Sequence, residues 1–178
     1  MLNRYIDNKN GTVTDTKTGL IWLKDANCFG KQDWINATRS AAQLADGQCG
    51  LSDGSKADNW CLPTLKEWEE MVDRRYADPA LSNAAGTGRW QPNDIFDRNS
   101  PDNSNDWKYW SSTPKVNCPR IIMWVMHLWE GGCLCHHGEN KYLVWPLRDP
   151  TDKERKLLSD LLFKESLPPP DREKVCKE

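Results

Sequence analysis

The sequence lacks long hydrophobic runs: no segment approaches the roughly 20 consecutive apolar residues that a membrane-spanning helix needs. The opening MLNRYIDNKNG also lacks the apolar stretch of a secretory leader, although a leader removed earlier stays an open alternative. A charge excess of one sign is missing as well, because 24 Lys and Arg stand against 26 Asp and Glu, for a formal net charge of -2. We therefore expect no membrane span and no nucleic-acid partner, since nucleic acid is usually bound through a strong positive field.

Tryptophan and cysteine are, by contrast, abundant. Ten tryptophans are unusual in 178 residues, and each indole needs a large packing site and usually a hydrogen-bond partner for its N–H. The seven cysteines are an odd number, so at least one thiol stays unpaired or pairs between chains. Four tryptophans that we predict to be core lie in framework motifs: Trp22, Trp60, Trp68 and Trp110.

Cys28 and Cys49 bracket the first predicted helix. A disulfide between them would suit an oxidising environment. Buried or reduced thiols fit the same spacing, so the sequence leaves both interpretations open. The compartment is therefore undecided, with the cell surface, the extracellular space or a virion favoured.

The first half of the chain predicts a hairpin followed by two helices. GTVTDTKTGLIW contains two short strand-like runs around a turn-rich centre. In WINATRSAAQLA, apolar residues recur at helical spacing from Trp34 to Leu44, which predicts a helix with one apolar face. Thr64 and Glu67 form a capping-box pattern, so a second helix is expected to begin there.

The second half predicts a β-meander and a third helix. Residues 73–107 are rich in Asn, Asp, Gly, Pro and Ser and are predicted to form a long loop. Thr151 and Glu154 repeat the capping-box pattern and open a leucine-rich helix that Pro168 ends. Strand-like segments joined by glycine-containing links occupy residues 108–113, 121–129, 133–137 and 141–148.

A series of short motifs runs in order through about residues 4–148: GTVTDTKTGLIWLK, NCFGKQ, GQCGLSDGS, the WxLPT motif at Trp60 to Thr64, ALSNAAGTG, YWSST and the closing VWPLR. Together these motifs resemble the bacterial Lcl C-terminal-like domain family. The resemblance implies an α+β domain of the C-type lectin-like fold, over residues 1–150, with two helices on a twisted antiparallel sheet and a long loop insertion. An extra C-terminal helix and tail then occupy residues 151–178.

The side chains of residues 121–129 are expected to alternate between the two faces of the sheet. Matching the family's apolar pattern places Trp124, Met126 and Leu128 inward. The intervening residues are then predicted to face solvent, and they are Met123, Val125, His127 and Trp129.

Some relatives of this fold are variable proteins of diversity-generating retroelements, in which the sheet-and-loop surface before the closing strand is randomised. This chain resembles them, because its framework motifs are intact and the residues between them are chemically heterogeneous. The resemblance implies a display protein that binds a protein or carbohydrate ligand, without catalysis or a cofactor. The residues expected to face the ligand are Asn117, Pro119, Arg120, Ile121, Met123, Val125, His127, Trp129, Leu134, His136, His137, Lys141 and Leu143.

Other interpretations stay open from the sequence. A fixed lectin-like adhesin that binds a sulfated polysaccharide is one alternative, although the later strands carry only scattered cations. A copper or zinc site at Cys133 and Cys135 is another, but a gap of one residue on a strand places His136 on the opposite face. The leucines of residues 151–165 could also cover the meander or pair with a second copy of the chain.

Overall fold

The computed structural model describes residues 2–92, 94–97, 107–117 and 120–166. These residues contain nine strands and three helices and form the expected α+β arrangement. Along the chain the elements are β1 (Tyr5–Asp7), β2 (Thr12–Asp15), β3 (Ile21–Leu23), β4 (Lys31–Gln32), α1 (Trp34–Gln43), α2 (Leu65–Met71), β5 (Lys108–Pro114), β6 (Ile122–His127), β7 (Gly132–His137), β8 (Tyr142–Leu143), β9 (Leu147–Arg148) and α3 (Asp152–Ser166).

The strands form two sheets. One has the order β1-β2-β3-β9 and the other the order β4-β8-β5-β6-β7. The predicted hairpin is confirmed as β2 and β3, which pair antiparallel. The predicted meander is confirmed where β5, β6 and β7 pair antiparallel in chain order. The closing strand β9 returns to β3, with Trp22 opposite Leu147, so the two ends of the domain meet in one sheet.

The three predicted helices are confirmed, and capping hydrogen bonds are present at their starts. The Asp33 side chain accepts a hydrogen bond from the Asn36 N–H at the start of α1. At α2 both halves of the capping box are present, because Thr64 and Glu67 each accept from the other's backbone N–H. The described helices include none that is long and apolar enough to cross a membrane.

The predicted long loop contributes side chains to the core. Its described parts, residues 73–92 and 94–97, contain no helix and no named strand. An isolated bridge joins Ser82 to Arg89 in this segment. Leu81, Trp90 and Phe96 are buried, so the loop docks on the domain through isolated apolar side chains.

The larger core lies between the two sheets and is rich in aromatic rings. Trp22 lies 5.2 Å from Trp68 and 5.3 Å from Trp145, measured between ring centroids. Tyr109 of β5 and Phe96 complete the cluster against Trp145. All four tryptophans predicted to be core are buried, which confirms that prediction.

A second core cluster lies on the opposite face of the five-stranded sheet, under α1. Ala37 and Ala41 face the sheet and are fully buried. They belong to one cluster with Trp110 of β5 and with Met123 and Val125 of β6. The centre of this sheet is therefore covered on both faces.

The structure contains a disulfide between Cys28 and Cys49, whose two Cα atoms are 5.8 Å apart. The sequence had left this pairing undecided.

The helix α3 is anchored beside the four-stranded sheet, where Leu158 lies next to the β2–β3 turn at Gly19. At its start, Glu154 receives two hydrogen bonds of 2.8 Å from the Arg148 guanidinium. Three apolar side chains of α3 stay exposed: Leu157, Leu162 and Phe163.

Candidate functional site

The residues predicted to face the ligand fall into three groups by exposure. His127 and His136 are half-buried, and Pro119 lies outside the described residues. Met123, Val125 and Leu143 are buried. The exposed group consists of Asn117, Arg120, Ile121, Trp129, Leu134, His137 and Lys141.

The prediction that Met123 and Val125 face solvent is wrong. Their side chains are 2% and 0% exposed. The reason is α1, which covers the face that strand alternation assigned to water. Leu143 is 4% exposed and belongs to the larger core, so it cannot contact a ligand either. Of the three residues predicted to point inward, Met126 and Leu128 are buried and Trp124 is half-buried.

Towards the edge of this face, beyond α1, imidazole and phenol rings form a row that we call the histidine row: His127, His136 and Tyr142. The two imidazole rings stack at 17° with centroids 5.8 Å apart. The Tyr142 hydroxyl shares a hydrogen bond of 2.9 Å with Nδ1 of His136, which fixes the orientation of that ring. Leu134 lies two residues before His136 on β7, on the same face, and is 54% exposed.

The environment of His136 disfavours its protonated form. Burial lowers the pKa of His136 below its ordinary value, and the nearby Lys108 and His137 lower it further. The ring is therefore neutral at neutral pH, which suits a hydrogen bond or apolar contact with a ligand.

The unfolding free energy should consequently depend on pH through His136. An unfolded histidine binds its proton near pH 6.5, whereas folded His136 binds its proton only at lower pH. The unfolding free energy is then highest above about pH 6.5 and falls as the pH drops towards the folded pKa. Denaturant titrations from pH 7 to pH 5 should show this loss in the native chain and a smaller loss in His136→Gln. The exposed His137→Gln is the control, and an equal loss in His136→Gln and the native chain would contradict the assignment.

A cleft of about 780 Å³ opens at one end of the sheet, between the start of α1 and the β7–β8 turn. The backbone N–H of Trp34 donates to the Gly138 carbonyl at 2.9 Å and joins the two walls. Ile35 and Ile121, which are 53% and 55% exposed, supply apolar surface. The full lining is Asp33, Ile35, Arg120, Ile121, His137, Gly138, Glu139 and Asn140.

Three predicted display residues, Arg120, Ile121 and His137, meet in this cleft. Sequence reasoning missed the opposite wall, formed by Asp33 and Ile35. Asp33 was recognisable as a cap residue before a helix, but no sequence signal showed that this helix end meets the β7–β8 turn. The hydrogen bonds from Asn36 lower the pKa of the Asp33 carboxyl, so the cleft holds a carboxylate at that wall.

Trp129 does not belong to the cleft. It lies in the β6–β7 turn, at the other end of β6, where its carbonyl accepts the Asp78 N–H at 2.7 Å. The ring is 43% exposed. The predicted set is therefore spread over both ends of the strands and does not form one continuous patch.

The cysteines considered for copper or zinc, Cys133 and Cys135, occupy alternate positions of β7. Burial raises the pKa of the Cys133 thiol, and the Glu69 carboxylate raises it further. Thiols with raised pKa values are poorer metal ligands, because the thiolate is the ligand. Across the described residues there is no group of three or more His, Cys, Asp or Glu side chains that could hold a metal ion.

Comparison with known sequences identifies one family. Its sequence model, described as the Lcl C-terminal domain, matches residues 11–148, well over half of the chain. No curated protein matches the chain significantly.

Proposed function

Because the chain belongs to the Lcl C-terminal domain family, we propose that it is a ligand-binding display protein on a C-type lectin-like scaffold, diversified by a retroelement. The ligand binds in the cleft and against the histidine row. The observation that carries this proposal is the convergence of Arg120, Ile121 and His137, three heterogeneous side chains, in a single cleft.

The scaffold around the cleft is suited to hold such side chains without a large entropic cost. The centre of the sheet is buried on both faces, by the larger core and by the cluster under α1. The hydrogen bond from Trp34 to Gly138 fixes the distance between the walls. Binding to a preformed surface loses less conformational entropy than binding to a mobile loop.

The chemistry of the cleft favours a protein ligand over a sulfated polysaccharide. Asp33 and Glu139 contribute two carboxylates against the single guanidinium of Arg120. A polyanion needs clustered cations, which this cleft does not offer. The exposed Ile35 and Ile121 instead suit an apolar side chain of a protein.

The proposal is tested by selecting peptides from a random library on the immobilised chain and measuring their affinity for variants. We expect Ile121→Asp to weaken binding at least about tenfold, which is a loss of about 1.4 kcal/mol, because it places a carboxylate at an apolar contact. Leu157→Asp on α3 is the matched control, since Leu157 is 59% exposed and Ile121 is 55% exposed. Equal affinity for both variants would place the binding surface elsewhere.

The retroelement is tested on the surrounding DNA. We expect a nearby near-copy of the coding region for residues 115–143, differing mainly at adenines, beside a reverse transcriptase gene. In diversified copies, codons for the buried Met123 and Val125 should retain apolar residues, because polar replacements there would cost folding stability. If the DNA contains no such copy, the proposal reduces to a fixed lectin-like binding domain.

A further inference from the structure

The strand β7 is the last strand of the five-stranded sheet, and no described residue pairs with its outer edge. Its inner edge pairs with β6, with Val125 opposite Leu134. The register and the hydrogen bond from the Gly138 N–H to the Ile121 carbonyl, 3.0 Å long, show which backbone groups point inward. Since the direction alternates along an antiparallel strand, Leu134 and His136 bond to β6, and the N–H and C=O groups of Cys133 and Cys135 point outward.

Among the residues that the structure describes, this edge lacks the features that normally prevent edge-to-edge pairing. Protected edge strands are very short or carry lysine, proline, an inward charge or a bulge. The strand β7 runs for six residues, GCLCHH, without proline or a Lys, Arg, Asp or Glu. Its pairing with β6 is continuous over six residue pairs, without a bulge. The outer edge is therefore competent to accept another strand.

The thiols of β7 indicate what the other strand is. The Cys28–Cys49 disulfide indicates an oxidising environment, in which accessible thiols tend to be oxidised. Cys133 and Cys135 are free and lie two positions apart on one face, so their Cβ atoms point the same way and do not favour a mutual bond. Across the inner edge they face Met126 and Trp124. A second copy of the chain can supply the partner cysteines with which these two thiols form disulfides.

We propose that β7 pairs antiparallel with β7 of a second copy of this chain, about a two-fold axis at Leu134. That axis places Cys133 of each copy opposite Cys135 of the other, and symmetry produces two disulfides. Opposed Cα atoms in a hydrogen-bonded antiparallel pair are about 5.5 Å apart, which matches the usual Cα spacing of about 5.5–6 Å in a disulfide. Because β7 carries no Lys, Arg, Asp or Glu, its side chains bring no like charges together in this pairing.

Each interchain bond forms by two thiol–disulfide exchanges with a low-molecular-weight disulfide. The Cys133 thiolate attacks that disulfide, bonds to one sulfur and releases the other as a small thiolate. The Cys135 thiolate of the second copy then attacks the Cys133 sulfur and releases the second small thiolate. The two protons lost by the protein thiols end on the two small thiols, and the protein sulfurs are oxidised as the small disulfide is reduced.

The dimer does not depend on the proposed function, although it would place two display faces side by side and permit bivalent binding. We expect the native chain, oxidised with glutathione disulfide, to sediment as a dimer and to migrate as a dimer on a non-reducing gel. The Cys133→Ser/Cys135→Ser variant should lose the covalent dimer, whereas Cys61→Ser, which removes an exposed thiol away from β7, should keep it. A native chain that sediments as a monomer over the whole accessible concentration range would overturn the proposal, as would an undiminished yield of covalent dimer in the double variant.

A pair of variants at Cys135 separates edge pairing from cross-linking. Cys135→Ser keeps the outward N–H and should still form a dimer that dissociates on dilution. Cys135→Pro removes that N–H without removing a hydrogen bond to β6, so it should be folded and monomeric. A dimer that persists in Cys135→Pro contradicts the pairing.

Amide hydrogen exchange on the native chain gives a result that does not depend on any variant folding. The outward amides of Cys133, Cys135 and His137 should exchange slowly in the concentrated, oxidised protein and quickly in the reduced, diluted protein. The inward amides of Leu134 and His136 should be protected under both conditions. Equal exchange of the outward amides under both conditions would show that β7 is not an interface.

Discussion

Replacing Val125 with aspartate is expected to unfold the domain, whereas replacing Leu134 with aspartate is expected to leave it folded. The two residues lie directly opposite each other on β6 and β7 and share one face of the sheet. Val125 is fully buried among Trp110, Met123 and the alanines of α1. A carboxylate there has no partner, and we expect a loss of more than about 4 kcal/mol of unfolding free energy. In the reduced, diluted monomer Leu134 is 54% exposed, and surface replacements usually change stability by less than about 0.5 kcal/mol.

The comparison is measured by urea denaturation of the two variants and the native chain, followed by circular dichroism. Because the two replacements introduce the same group on the same face, differences in β propensity largely cancel. A Val125→Asp variant as stable as Leu134→Asp would show that α1 does not cover this part of the sheet. It would also restore Val125 as a ligand contact, which the burial of its side chain excludes.

The features that the sequence predicted are those that neighbouring residues determine. The capping boxes Thr64–Glu67 and Thr151–Glu154 involve residues three apart and form as expected. The spacing of Ala37 and Ala41 in α1 correctly indicated the face that becomes buried. Local hydrogen bonds and helical periodicity require no knowledge of the rest of the fold.

The features that sequence reasoning missed depend on contacts between distant segments. Alternation along β6 distinguishes two faces, but it does not show whether the second face meets water or a helix. Met123 and Val125 were misassigned for that reason. The cleft was missed in the same way, because Asp33 and Glu139 reach it from opposite parts of the chain. Predicting the disulfide between Cys28 and Cys49 also required the path of the chain between them, since the spacing alone fitted free thiols equally well.

Replacing Arg148 with methionine should lower the unfolding free energy by about 3–5 kcal/mol, because it leaves a buried carboxylate without its partner. The Arg148 side chain is 5% exposed and lies 3.0 Å from Asp53, which is 1% exposed. It also binds Glu154 at 2.8 Å and lies over the Trp60 ring. The same change should loosen α3, whose first turn is attached to the domain through Glu154. Urea denaturation and amide exchange in α3 measure the two effects.

The surface pair of Arg75 and Asp73 provides the control for Arg148→Met. The Arg75 side chain is 67% exposed, so Arg75→Met should cost under about 1 kcal/mol. The double variant Arg148→Met/Asp53→Asn should recover part of the loss, since it no longer buries an unpaired charge at position 53.

Burial raises the pKa of Glu154, but hydrogen bonds from Arg148 and Thr151 outweigh it and hold that pKa at about 2. The native chain therefore loses stability as the pH falls from the unfolded value near 4.5 towards 2, and Arg148→Met should lose much less over that range. If Arg148→Met and Arg75→Met were equally stable and equally sensitive to acid, the buried ion pairs would not hold α3 to the domain.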